Sequence, residues 1–198
     1  MKHILYIVLL VLGMNAQAQL LVDDFTTGEV SVVTVNTLDT DEISYQTGAM
    51  LGGHRKLLAK MRQHTDKQDV QYGILNKKLV ASFGYNSRGG LKVSYGRTPK
   101  GAKPLDIDLT KYKKLVVTYE GLSENSPFYI SLFTNSQRAV YSVSVPRRPG
   151  VYRLEIPFSK FKIIGKGFKW EDLDSMQFQF GASALTGNNF AISRIEFR

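Results

Sequence analysis

Residues 151–161, VYRLEIPFSKF, put Tyr152, Leu154 and Ile156 on one side of an extended chain and Arg153 and Glu155 on the other. Strand side chains alternate with a period of two, so the segment reads as a strand with one buried face. Pro157 brings no N–H to a ladder and ends it. Phe158 and Phe161, three apart, predict one short turn that drops both rings onto the same core. The pattern recurs along the chain, and almost nothing in it carries the 3.6-residue period of a helix.

In chain order, residues 20–22 read as an edge strand entering a loop at Thr26-Thr27-Gly28, and the β-branched run 30–35 as a second strand. A polar stretch, 36–42, precedes 45–61, where Gly48, Gly52 and Gly53 predict bends or bulges. Residues 70–75 and 78–85 form an expected hairpin around Asn76-Lys77, and 86–90 (NSRGG) is a turn before a strand at 91–95. The basic loop 97–104 resembles a linker, but the pattern on both sides is the same and one domain is expected. Strands are then expected at 105–109, 115–119, 128–133, 140–145, 151–156, 176–180 and 190–197, with a single helical turn at 170–174. About a dozen short strands separated by turns predict an all-β chain, a jelly-roll β-sandwich.

The first residues have a different character. Lys2, an apolar run over 4–14 and Ala16-Gln17-Ala18 ahead of Gln19 have the order of a secretory signal peptide. Eleven apolar residues fall short of the roughly 20 that span a bilayer. The expected organisation is a leader at 1–18 and a single domain at 19–198, exported to the periplasm or secreted, with no transmembrane segment after cleavage. There is no cysteine, which removes a lipid anchor and a disulfide framework. The remaining 180 residues are enough to bury one core.

Of 26 lysines and arginines only Lys2 belongs to the leader, against 17 acidic residues that all follow it, so the domain carries +8. That charge attracts acidic polymers at long range, with no specific nucleic acid implied. The cations are scattered (Lys77-Lys78, Lys111, Lys113, Lys114, Arg147-Arg148, Lys160, Lys162, Lys166, Lys169), and the expected picture is a solvated surface.

Catalytic patterns are sparse. Beyond the leader the histidines are His54 and His64, and no nucleophile motif is present. The Gly48–Gly53 stretch lacks the Lys-Ser/Thr of a phosphate loop. Carboxylate pairs occur at Asp23-Asp24, Asp66/Asp69, Asp106/Asp108 and Glu171/Asp172/Asp174. On a strand, Asp106 and Asp108 share a face about 7 Å apart, with Ile107 inward. Such pairs fit acid–base work at a glycosidic bond or, more simply, a solvated face and a helix start. The expectation is no enzyme.

Several stretches carry a resemblance: Val22-Asp23-Asp24-Phe25, residues 48–55 (GAMLGGHR), 105–122 (LDIDLTKYKKLVVTYEGL), 151–161, 173–180 and 190–197 (FAISRIEF). In this order they resemble the galactose-binding-like jelly rolls, and within them the branch of the complex I intermediate-associated protein family and some carbohydrate-binding modules. The resemblance implies either a non-catalytic module that binds carbohydrate or an envelope glycan, or a protein-interaction and assembly module with no small ligand. It also implies a structural calcium where first and last strands meet, for which Asp23, Asp24 and Glu196 are the carboxylates, with Gly28 turning the loop carbonyls inward; otherwise no cofactor is expected. Alternation supplies candidate ligand groups on one polar face: Arg153 and Glu155, Gln177 and Gln179, Ser142 and Ser144. Tyr85, Tyr95, Arg88 and Trp170, near loops, form a second set at the rim.

Overall fold

A computed structural model describes residues 18–63, 70–85, 87–135, 137–181 and 187–198. Residues 1–17 of the expected leader (1–18), His64, the Asp66/Asp69 pair and Asn86 of the NSRGG turn lie outside the described residues.

The strands are β1 (Leu20–Asp23), β2 (Val30–Val35), β3 (Asp41–Thr47), β4 (His54–Gln63), β5 (Val70–Leu75), β6 (Lys78–Phe83), β7 (Arg88–Tyr95) and the two-residue pair β8 (Arg97–Thr98) and β9 (Gly101–Ala102). They continue with β10 (Lys114–Leu122), β11 (Ser126–Thr134), β12 (Gln137–Val145), β13 (Tyr152–Pro157), β14 (Lys162–Ile164), β15 (Ser175–Gly181) and β16 (Asn188–Phe197). One sheet runs β13-β10-β16-β6-β5-β2, with β1 also on β16, and the other β14-β12-β11-β15-β7-β4-β3. Their ladders are antiparallel. The protein is an all-β jelly-roll sandwich. Among the described residues, no helix is long and apolar enough to cross a membrane.

Alternation predicts inner faces at Leu154 and Ile156 and at Met176, Phe178 and Phe180, and all five are buried; Leu91, Val93 and Tyr95, and Phe128, Ile130 and Leu132, are buried as well. Rings stitch the two sheets together: Tyr119 meets Phe128 edge-on at 6.4 Å, Phe128 stacks on Phe180 at 4.9 Å, and Phe180 touches Phe190 at 5.1 Å. The hairpin at Asn76-Lys77 forms as expected, both residues having the positive φ (50° and 60°) of a type I′ turn.

Three local expectations fail. Arg88–Gly90, read as part of the turn at 86–90, already belong to β7. No strand forms at 105–109, where only Ile107 bridges Leu173. Asp106 has φ 52°, which breaks the alternation, and Asp108 instead accepts from the Thr110 amide at 2.8 Å. Residues 170–174 form no helix: Trp170 and Glu171 make a turn, and Leu173 joins that same bridge. The turn after Pro157 does form, closed by Phe161 N–H donating to the Phe158 carbonyl at 3.1 Å.

Candidate functional site

The sheet β14-β12-β11-β15-β7-β4-β3 turns its apolar side chains to the core and leaves its other face open. Register aligns that outer face in rows. One row is Ser142 (β12), Tyr129 (β11), Gln179 (β15), Lys92 (β7) and Leu58 (β4). The next is Lys162 (β14), Val140 (β12), Ser131 (β11), Gln177 (β15), Ser94 (β7) and Lys56 (β4). In a third row Lys60 faces Gly90 and Gly90 faces Gly181, so two successive positions have no side chain and the surface dips.

Two adjoining depressions, of about 560 and 620 Å³, share Lys92, Tyr129 and Gln179 and make one groove across the strands. Its centre is Tyr129, 48% exposed on an inner strand of the sheet. One end is lined by Arg138, Lys160, Lys162 and Ile164, the other by Asp41, Lys60, Arg62 and Arg88. Lys60 is held by Asp41 at 3.3 Å and Asp39 at 3.9 Å. Among the described residues, the other six lysines and arginines of the groove form no ion pair.

The predicted site residues divide. Gln177, Gln179 and Ser142 lie on one outer face and line the groove, and Arg88 lines its end. Ser144 is on the same outer face, two residues further along β12. Arg153 and Glu155 do not join them. Strand β13 pairs with β10 in the opposite sheet, so the two groups point away from the other side of the sandwich. There Glu155 accepts from Lys114 at 2.7 Å, and this hydrogen bond outweighs the small cost of burial and lowers its pKa. Tyr85 is exposed in the turn after β6, outside the groove. Tyr95 is no rim residue: it is fully buried and donates to Asp23 at 2.7 Å. Burial, then the Asp23 charge, pushes its pKa well up, so the phenol stays a donor. Trp170 stacks on Phe158 at 4.6 Å and packs on the core.

The three carboxylates expected to share calcium point apart. Asp23 lies between the sheets, bound by Arg55 at 2.6 Å, Tyr95 and the Phe25 amide. Asp24 accepts from the Thr26 amide and hydroxyl, capping a turn. Glu196 is on the outer face, ion-paired to Arg194 and Arg198, each at 2.5 Å, with Gln19 donating as well. Asp106, Asp172 and Asp174 do bring carboxylate oxygens within 4.8 Å of one another. One Asp174 oxygen already accepts from the Asn135 amide at 2.5 Å.

Tyr129 was missed by the sequence reading, although the signal was present. With Phe128, Ile130 and Leu132 inward, Tyr129, Ser131 and Phe133 must face out. Lys92 and Ser94 follow from Leu91, Val93 and Tyr95 in the same way.

The molecule is thus a jelly-roll sandwich with a polar groove open across one sheet. No family model and no curated protein sequence matches the chain. Among solved structures it is similar to the family 11 carbohydrate-binding module of the cellulosomal cellulase Lic26A-Cel5E of Clostridium thermocellum, at 17% identity and TM-score 0.47, over 92% of this chain and 95% of that one. It is also similar to the family 30 carbohydrate-binding module of the cellulosomal cellulase CEL9D-CEL44B of Clostridium thermocellum, at 12% identity and TM-score 0.44, over 91% and 97%. A third is TmCBM61 in complex with β-1,4-galactotriose, at 9% identity and TM-score 0.39, over 82% and 91%.

Proposed function

We propose that the protein is a non-catalytic module that holds a glycan chain along the Tyr129 groove. The observation that carries this is the central row, in which the exposed Tyr129 ring sits between Ser142 and Gln179 on neighbouring strands. A ring presents an apolar face to the C–H face of a sugar, while amides and hydroxyls both donate to and accept from sugar hydroxyls. Gln177, Ser131 and Ser94 continue that polar floor into the next row. Six strands at about 4.8 Å give the groove some 24 Å of length, enough for several sugar units. Hydrolysis would need two carboxyl groups about 5–9.5 Å apart across the bond. Among the described lining residues the carboxylate is Asp41, ion-paired to Lys60.

The test is binding to a panel of soluble polysaccharides by affinity electrophoresis and calorimetry. Tyr129→Ala and Gln179→Ala are expected to weaken binding at least tenfold with an unchanged melting temperature. Unaltered affinity in both variants would remove the groove as the site. The basic start, apolar run and A-x-A segment before Gln19 support export, and N-terminal mass spectrometry of periplasmic and secreted fractions checks it.

A second reading, a protein-interaction module, is favoured by a different observation. An apolar groove of about 520 Å³ lies at the other sheet, lined among others by Val32, Val80, Leu122, Pro149 and Ala191. Val80→Lys would weaken a protein partner and leave glycan binding alone.

A further inference from the structure

We infer that the glycan held by the groove is polyanionic, a polysaccharide whose sugars carry carboxylate or sulfate groups. This rests on the groove being a glycan site and adds the substrate class. The two outer faces of the sandwich differ in how many of their cations are paired. On the β13-β10-β16-β6 face, Lys78 pairs with Glu120, Lys114 with Glu155, and Arg194 and Arg198 with Glu196, leaving Arg153 without an ion pair among the described residues. Around the groove, Arg62, Arg88, Lys92, Arg138, Lys160 and Lys162 face a floor of Ser, Gln and Tyr without an ion pair among the described residues. Cations that outnumber the carboxylates around them, here six against Asp41 among the described lining residues, repel one another, and their field concentrates anions in the cleft between them.

Their spacing selects a polymer. Lys162 and Arg138 sit on the edge pair β14–β12, Lys92 lies three strands from β12 beside Gln179, and Arg62 lies one strand further on. Four strand spacings from β12 to β4, about 19 Å across the strands, put Arg138 and Lys162 at one end and Lys92 and Arg62 towards the other. A single small anion does not span this, whereas a chain with a charge on each sugar or every second sugar meets both ends. The floor distinguishes glycan from nucleic acid. Single strands are held by successive aromatic platforms, whereas the exposed ring lining this groove is Tyr129, set among amides and hydroxyls suited to sugar hydroxyls; Tyr45, exposed on the same face, lies beyond the groove with Lys56 over its ring.

The protein is titrated with polygalacturonate, alginate, dextran sulfate, neutral mixed-linked β-glucan, neutral xylan and an oligo-dT strand, at 50 and 200 mM salt. Expected is binding to at least one of the charged polysaccharides, at least tenfold tighter than to the neutral ones, weakening with salt. The uronates against dextran sulfate tell carboxylate from sulfate. Arg138→Ala/Lys162→Ala and Lys92→Ala, both at exposed or half-exposed positions, each lower that affinity at least fivefold, flatten its salt dependence and leave the melting temperature in place. Tyr129→Ala removes binding that lower salt does not restore. Neutral glycan bound equally well, and unaffected by the charge variants but lost in Tyr129→Ala, overturns the polyanion inference and keeps the groove. Oligo-dT bound as tightly as the polyuronates overturns it as non-selective charge. Polyuronate affinity indifferent to Tyr129→Ala and to all three cation changes overturns both readings.

Discussion

Arg55 donates to Asp23 at 2.6 Å between the sheets, with the two side chains 0% and 2% exposed. The same guanidinium donates to Gln46 at 3.2 Å and to the carbonyls of Thr27 and Gly28 at 3.0 and 2.8 Å, and lies 5.3 Å from the centre of the Phe25 ring. One buried cation thereby ties the end of β1 and the following loop to β3 and β4. The Val22-Asp23-Asp24-Phe25 and GAMLGGHR stretches, the latter containing Arg55, are the two halves of this anchor.

Removing either charge strands the other in a low-dielectric core, which typically costs 3–5 kcal/mol. Asp23→Ala and Arg55→Leu are each expected to lower unfolding stability by about 3–5 kcal/mol. Tyr95→Phe, which leaves the ion pair in place, costs about 1 kcal/mol. Urea denaturation measures all three. Because Arg55 and Tyr95 occupy the Asp23 carboxylate, the Asp23→Ala loss is the same in millimolar calcium and in chelator. Losses below 1 kcal/mol in both charge variants would show that the pair does not anchor the strand.

Gly28 supplies one of the carbonyls that Arg55 binds, at φ +69°. A Cβ there would lie 2.8 Å from Gln46 Cβ and 2.9 Å from Arg55 Nη2, in a backbone region that L-residues avoid. Gly28→Ala is therefore expected to destabilise by about 1–3 kcal/mol. Gly53→Ala, at φ +72° with nothing within 4 Å of the added carbon, isolates the backbone share of that loss. Equal effects would mean that the contact with Arg55 contributes nothing.

Glu196 is expected to contribute to the acid limb of stability. Burial raises its pKa, but hydrogen bonds and charge from Arg194 and Arg198 outweigh this and hold it below the usual value. A carboxyl lower in the folded than the unfolded state stabilises above its unfolded pKa, and the gain is lost as pH falls through the folded pKa. Stability is thus expected to hold from pH 7 to about pH 5 and to decline below about pH 4.3. Glu196→Gln lowers the plateau and makes the decline shallower. Asp24, Asp108 and Glu155 are also shifted down but more exposed, so they add less. Parallel pH curves for wild type and Glu196→Gln, measured by urea midpoints, would assign the acid limb elsewhere.

Alternation was legible where strands are regular and half-buried: β2 and β5 fall at the expected boundaries, and Gln177 and Gln179 face outward as read. It tells which face of its own strand a residue occupies, not which sheet the strand joins. Arg153 and Gln177 therefore looked like neighbours, though long-range pairing puts β13 beside β10 and β15 beside β11. Tyr95 was misplaced for another reason: being near a turn suggested exposure, yet its inward parity with Leu91 and Val93 decides burial. Asp106 and Asp108 lost their shared face to one left-handed residue, which periodicity does not register. The groove's charge was invisible because β4, β7, β12 and β14 each contribute one or two cations, and only the sheet gathers them.

Trp170 gives the last prediction. It is the only tryptophan, and it is wedged against Phe158 (4.6 Å), Phe168 (5.0 Å) and Phe161 (6.0 Å) without lining the groove. Its emission therefore reports packing at the Pro157 turn and not ligand stacking at Tyr129. Unfolding in urea shifts the emission to the red, while a saturating glycan leaves the maximum where it was. Phe158→Ala removes a half-buried ring, so a loss of about 2–4 kcal/mol is expected, toward the lower part of the range for buried aromatics, with a red shift in the folded state. Tyr129→Ala does neither. A ligand-induced blue shift that persists in Tyr129→Ala would move the binding surface to Trp170 and the loop after β14.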